Sequence, residues 1–219
     1  MIGAVIAMQS EADILLDQMK ITSTLNVSGK TVYIGSAFGK DVTLVVCGVG
    51  KVNAALGTQL LISKFNVDTL LNFGVAGGLN DGTKLCEVYQ ITQAVQFDFD
   101  LTQLNGTKMG TLDEYTENYL PLSTFNAPFS KKYLGTADRF NDSIVDYKLL
   151  TEELNADIRD MEGGAIVQVA LSAQLPVYSI KAISDVAGSG STTEQFLKNK
   201  SKALENLKEK LSIFFEELE

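Results

Sequence analysis

The chain has 219 residues, 45% hydrophobic and 21% charged, which fits one globular domain over residues 1–219 with a substantial core. Its net charge of −9 opposes phosphate backbones and anionic lipid, so neither nucleic acid nor membrane is an expected partner. It contains no histidine, which excludes a histidine general base, Ser–His or Cys–His catalysis and His-ligated zinc.

Proton transfer therefore falls to carboxylates, Lys, Tyr or Cys. The two cysteines, Cys47 and Cys86, are too few for a disulfide framework and lack metal-ligand spacing, so both read as small core residues. The opening segment is apolar for only about eight residues and has no basic start, unlike a signal sequence. No apolar run approaches the length of a membrane span. The expected location is cytoplasmic, and the Asn-X-Ser/Thr matches at Asn26, Asn105, Asn141 and Asn199 are read as chance.

In chain order, Ile2–Ala7 is small and β-branched and predicts a buried strand. Gln9–Met19 follows with helical spacing at Ile14, Leu15 and Met19. Thr31–Ala37 and Val42–Cys47 predict two strands joined by a glycine turn. Gly48-Val49-Gly50 breaks the chain before a helix over Lys51–Lys64. Thr69–Phe73 predicts a short strand ending in Gly74-Val75-Ala76-Gly77-Gly78. Glu87–Phe97 predicts a long strand, and Leu101–Phe129 an irregular functional or interface segment. A strand over Lys132–Ala137 and a helix over Asp142–Leu154 follow. Gly163–Gln174 predicts a buried helix, Pro176–Ile183 a buried strand and Thr192–Leu218 a long amphipathic helix. This alternation predicts an α/β layered domain with a largely central sheet. In such folds ligands sit where strands end, which singles out Met8–Glu11, Gly48–Lys51, Gly74–Gly78 and Ser184–Gly190.

Each of these segments admits two readings. Gly48-Val49-Gly50-Lys51 lacks the third glycine of a dinucleotide loop and the Ser/Thr of a P-loop. It is either a structural turn or a ligand loop. The Gly74–Gly78 run is a turn, or a place where backbone approaches a ligand. Glu162, at the mouth of an apolar helix, either complements the helix dipole or grips sugar hydroxyls. Asp185, at the end of a buried strand, is either a helix cap or a desolvated acid with a raised pKa.

Five stretches, IGAVIAMQSEAD, CGVGKVNAALGTQLL, NFGVAGGL, DMEGGAIVQVA and KAISDVAG, occur in the order and near the spacing of one family. Through them nearly the whole chain resembles the 5′-methylthioadenosine/S-adenosylhomocysteine nucleosidases of the nucleoside phosphorylase superfamily. The resemblance implies a three-layer α/β/α sandwich with a mixed central sheet and a homodimer. It also implies hydrolysis of the bond between adenine and ribose, with methylthioadenosine or S-adenosylhomocysteine as substrate. No cofactor and no metal is implied.

By the same resemblance Asp185 protonates adenine N7, supported by Ser184, and Glu11 positions the attacking water. Glu162 holds the ribose hydroxyls, with Met161 against the sugar. Phe140 stacks on the base, the backbone of Asn141 reads its edge, and Gly77 lies beside it. Val49 joins the binding set. Val75 and Lys181 stand where the family often has Ser and Arg, near the water and Glu11. Thr193 aligns with an aromatic near the 5′ end. Leu101 and Leu104 fall where a dimer partner lends apolar groups to the 5′ pocket.

The chemistry is coherent on general grounds. Breaking an N-ribosyl bond generates a cationic sugar and a poor leaving anion, so an acid at the base and carboxylates near the sugar suffice. Two other readings stand beside hydrolysis. One is a purine nucleoside phosphorylase, which needs basic groups around phosphate; the chain has only Arg139 and Arg159, outside the expected phosphate loops. The other is a weakened, nucleoside-binding member, motivated by Val75 and Lys181.

Overall fold

A computed structural model describes residues 1–218. Strand β1 (Ile2–Ile6) leads into helix α1 (Gln9–Leu16). Three strands follow, β2 (Lys20–Val27), β3 (Lys30–Ala37) and β4 (Lys40–Val46), and then α2 (Lys51–Phe65). Next come β5 (Thr69–Gly78), β6 (Val88–Gln96), the short α3 (Thr102–Asn105), β7 (Leu120–Pro121) and β8 (Lys131–Thr136). Helix α4 (Ile144–Lys148) continues into a π-helical turn, Leu149–Glu153. The chain closes with β9 (Ile158–Asp160), α5 (Gly163–Ser172), β10 (Val177–Val186) and α6 (Thr192–Glu217).

The ten strands form one mixed sheet. β1 lies between β4 and β5, parallel to both, and β10 runs parallel to β5. Strands β1 and β5 are almost wholly buried on both faces, as expected of interior parallel strands. Helices α1 and α6 cover one face, where Leu15, Leu207, Leu211 and Phe214 pack with Phe73, Ile180 and Ala182. On the other face α2 and α5 pack Leu61, Ile166 and Val167 with Val5, Leu70 and Ile91. These are the layers the alternating pattern predicts.

Half of the sheet closes on itself, which the pattern does not convey. β5 pairs with both β10 and β9, β10 pairs with β6, β6 with β8, and β8 with β9. β9 is the link that closes this ring, and at three residues it escapes any periodicity reading. β2 also escapes it. It is an exposed edge strand, paired only to β3, with no buried apolar face to reveal it.

Two predicted strand ends need correction. β5 continues past Phe73 through Gly78, so the glycine run is strand and not loop. β10 continues past Ile183 to Val186, so Ser184 and Asp185 lie inside a strand.

Phe214 is fully buried and meets the Phe125 ring edge-on, with centroids 4.5 Å apart. Phe214→Ala leaves a cavity between α6 and the sheet. It is expected to lower unfolding free energy by about 3–5 kcal/mol in urea titrations, with little effect on ligand affinity.

Candidate active site

A cavity of about 390 Å³ opens where β1, β5, β9 and β10 end, roofed by the first turns of α6. Glu11, Val49, Val75, Gly77, Phe140, Met161, Glu162, Ser184, Asp185 and Thr193, the residues singled out through the family resemblance, are brought together in its lining.

Asp185 reaches the cavity because β10 carries a bulge. Ile183 pairs with Ala76 and Asp185 with Gly77, leaving Ser184 as the extra residue. In a regular strand consecutive side chains point to opposite faces. The bulge re-aims them, and both Ser184 and Asp185 line the same cavity. Ser184 Oγ donates to Asp185 Oδ2 at 2.8 Å, while Oδ1 has no hydrogen-bond partner among the described residues. Burial raises the Asp185 pKa, against the opposing pull of the Ser184 hydrogen bond and the Arg159 charge. Asp185 caps no helix: Ser191 caps α6, accepting from the Glu194 amide.

Glu11 stands in the first turn of α1 and reaches back, so that Oε2 accepts from Met8 N at 3.1 Å. Its Oε1 accepts from Val75 N at 2.8 Å. The carboxylate occupies the space where a Cβ on Gly74 would stand. Burial raises its pKa. Here a glycine makes room for a side chain of the protein itself.

Glu162 precedes α5, but the first α5 amides go elsewhere: Asp160 Oδ2 accepts from Gly163 N at 2.9 Å and Thr136 Oγ1 from Gly164 N at 2.8 Å. The Glu162 side chain turns instead to the glycine turn, and Oε1 accepts from Gly50 N at 2.8 Å. Gly48 and Gly50 have φ of 92° and 100°, conformations that favour glycine, so this turn is structural and also anchors a site carboxylate. Burial, reinforced by the charge of Asp160, lifts the Glu162 pKa from the ordinary 4.5 to about 7.

Four predicted residues do not line the cavity. Lys181 lies buried beneath it, with Nζ 3.0 Å from Asp160 Oδ2. Asn141 spends its side chain on the next turn: Nδ2 donates to Asp146 at 2.9 Å and Oδ1 accepts from Ser143 N. Leu101 precedes the short α3 and Leu104 lies within it at the surface, where Leu104 is 80% exposed, because this helix buries none of its residues.

Sequence reasoning gave no role to Arg159, Asp160, Phe196 or Leu197, all of which line the cavity. Asp160 lies inside the stretch DMEGG, and its neighbourhood was the available signal. Arg159 and the α6 residues carried none, because β9 and the docking of α6 are matters of tertiary structure.

The lining thus holds four carboxylates and one guanidinium. No group of three or more Cys, Asp and Glu with metal-binding geometry occurs among the described residues. Asp185, with its free oxygen, stands by Gly77, and Glu11 stands by Gly74 further back along β5.

Residues 1–216 match the model of the phosphorylase superfamily, so a layered α/β scaffold of that superfamily is what this fold and cavity define. The 5′-methylthioadenosine/S-adenosylhomocysteine nucleosidase of Listeria innocua is 30% identical over 206 residues, 87% of this chain and 88% of that one. Its namesake from Halalkalibacterium halodurans is 29% identical over 220 residues, 94% of this chain and 95% of that one. The chain belongs to this nucleosidase family. The Helicobacter pylori nucleosidase, crystallised with butyl-thio-DADMe-Immucillin-A, shares the fold with a TM-score of 0.91 at 24% identity, covering 99% of this chain and 98% of that one.

The raised Glu162 pKa has a measurable consequence. The folded protein keeps a proton that the unfolded chain loses above about pH 4.5, so stability declines as pH rises through about 7. Urea titrations at pH 5 and pH 8 are expected to show Glu162→Gln losing less stability than the parent over that interval, by on the order of 2 kcal/mol.

Proposed function

We propose that this chain, as a single domain, hydrolyses the N-ribosyl bond of an adenine nucleoside. Methylthioadenosine and S-adenosylhomocysteine are the substrates, and adenine is released. The observation that carries the reading is the free oxygen of Asp185. It is buried, aimed at a cavity and held by Ser184, with a raised pKa that keeps a proton available for transfer.

The base lies between the Phe140 ring and the backbone at Gly77, its edge read by the Asn141 backbone. Asp185 Oδ1 delivers its proton to base N7, and the electron pair of the breaking C–N bond stays with the base. The sugar becomes cationic between Glu11, Glu162 and Asp160. Glu162 binds the ribose hydroxyls and Met161 packs against the ring. Glu11 orients water toward C1′ and accepts its proton. The products are neutral adenine and a free ribose derivative, so one water is consumed.

Water suits this cavity better than phosphate. Arg159 is the single cation among the described lining residues, and it stands beside Asp185 at the base end. Arg139 pairs with Asp146, and Lys181 with Asp160. An incoming phosphate would meet carboxylates at the sugar end.

We further propose a cytoplasmic homodimer. No helix among the described residues is long and apolar enough to cross a membrane. Val52 and Leu56 on α2, and Leu104, are exposed apolar side chains, with Val52 at 79%. A partner's copy of Leu101 and Leu104 would close the 5′ pocket beside Val49.

Incubation with methylthioadenosine, with and without phosphate, is expected to give the same free sugar and no sugar 1-phosphate. Asp185→Asn is expected to reduce turnover about a thousandfold while the thermal transition is kept, a loss within the usual general-acid contribution. A variant that still releases adenine at a comparable rate removes Asp185 as the acid.

A further inference from the structure

Arg159 is the charged lining residue left without a task by the reaction above. It stands on β9 opposite Gly77, and Asp185 stands on β10 opposite the same glycine. A Cβ at Gly77 would lie 2.9 Å from Asp185 Oδ1 and 3.2 Å from Arg159 Nε. Acid and guanidinium therefore flank one glycine, and both residues line one cavity, Arg159 also bordering the neighbouring pocket of Asp142 and Tyr147. Arg159 Nη2 is a buried donor without a hydrogen-bond partner among the described residues. A buried donor left unpaired is costly and gains most from a ligand acceptor. Asp185, beside the same glycine, is already held by Ser184 and does not bond to it.

The purine edge that carries N7 also carries the 6-substituent. An adenine shows an acceptor at N7 and a donor at its 6-amino group, whereas a 6-oxopurine shows two acceptors. A protonated Asp185 supplies one donor. A guanidinium has donors and no acceptor, so it matches an oxygen and mismatches an amine.

We propose that Arg159 is a specificity-determining residue that donates to the 6-oxygen of the base, making 6-oxopurine nucleosides a second substrate class of this site. The proposal rests on the N7-protonating role given to Asp185. It adds no reaction step: the same proton goes to N7 and the same water attacks C1′, with hypoxanthine leaving in place of adenine. Arg159 moves no proton.

The test compares 5′-methylthioadenosine with 5′-methylthioinosine, which differ only at the 6-position, in the parent, Arg159→Met and Arg159→Lys. Equilibrium binding of free adenine and free hypoxanthine to the same proteins is measured by calorimetry. The parent is expected to release hypoxanthine with kcat/KM within about tenfold of its value for adenine release. Arg159→Met is expected to lose roughly tenfold or more on the oxo substrate and less than about threefold on the amino one. Arg159→Lys, which keeps a charged donor, is expected to recover part of the loss. The free bases should follow the same ranking.

An unchanged base ratio in Arg159→Met overturns the proposal. So does a parent that releases adenine but neither releases nor binds hypoxanthine, an outcome that needs no variant to fold. Absence of turnover on both substrates refutes the proposed reaction instead. In that case the binding ratio alone decides the role of Arg159, and its insensitivity to the Met variant sinks that role too.

Discussion

One buried ammonium holds the floor of this site together. Lys181 sits on β10 opposite Gly74, wholly out of solvent, within 3.0 Å of Asp160. Burial alone would push its proton off, but Asp160, Glu162 and Glu11 together hold its pKa above the ordinary value. Three carboxylates crowd around this one buried cation. Burial, reinforced by the Asp160 charge, makes Glu162 keep its proton to about pH 7, and burial shifts Glu11 the same way. Asp160 is the best supplied of the three. It accepts from Thr136 Oγ1 at 2.6 Å and from Gly163 N, besides pairing with Lys181. A cation forming among these groups completes an arrangement the protein leaves short of positive charge, which is electrostatic preorganisation in its simplest form.

The glycines of β5 decide where those charges can stand. Gly74 leaves the volume that the Glu11 carboxylate fills, and Gly77 leaves the volume shared by Asp185 and Arg159. A strand rich in glycine loses side-chain packing and backbone entropy. β5 tolerates this because it is buried between β1, β10 and β9, with Leu70, Leu71 and Phe73 packed into both apolar layers. The first half of the strand therefore anchors the second half, which is shaped for the site.

This division also explains what could be read in advance. The layers were legible because β1, β5 and β10 are continuous apolar runs and α6 has a clean amphipathic period. Asp185 was legible because a carboxylate beside such a run is conspicuous, whereas Glu11, at a strand end, took its role from the family resemblance. The Gly74–Gly78 segment misled, since glycine marks a turn and a close approach equally well. Nothing local says that β10 bulges at Ser184, which is what turns two neighbouring polar residues toward one cavity. Arg159 was hidden for a different reason. Its three-residue strand owes its existence to pairing with β5 and β8, so its direction cannot be known before the ring closes.

The two departures from the family's usual residues do not dismantle this geometry. Val75 brings no hydroxyl, yet its contribution to Glu11 is the backbone amide, at 2.8 Å from Oε1. Any residue except proline at that position supplies the same donor. Lys181 brings one ammonium in place of a forked guanidinium, and so commits its charge to Asp160 while acting on Glu11 and Glu162 through space. A guanidinium could have bonded two carboxylates at once. The lysine leaves Glu11 anchored by two amides alone, with lone pairs still directed to the cavity. The carboxylate that must take a proton from water is therefore less neutralised here than a guanidinium would make it. That favours its basicity, at the expense of the positional restraint a second charged bond would add.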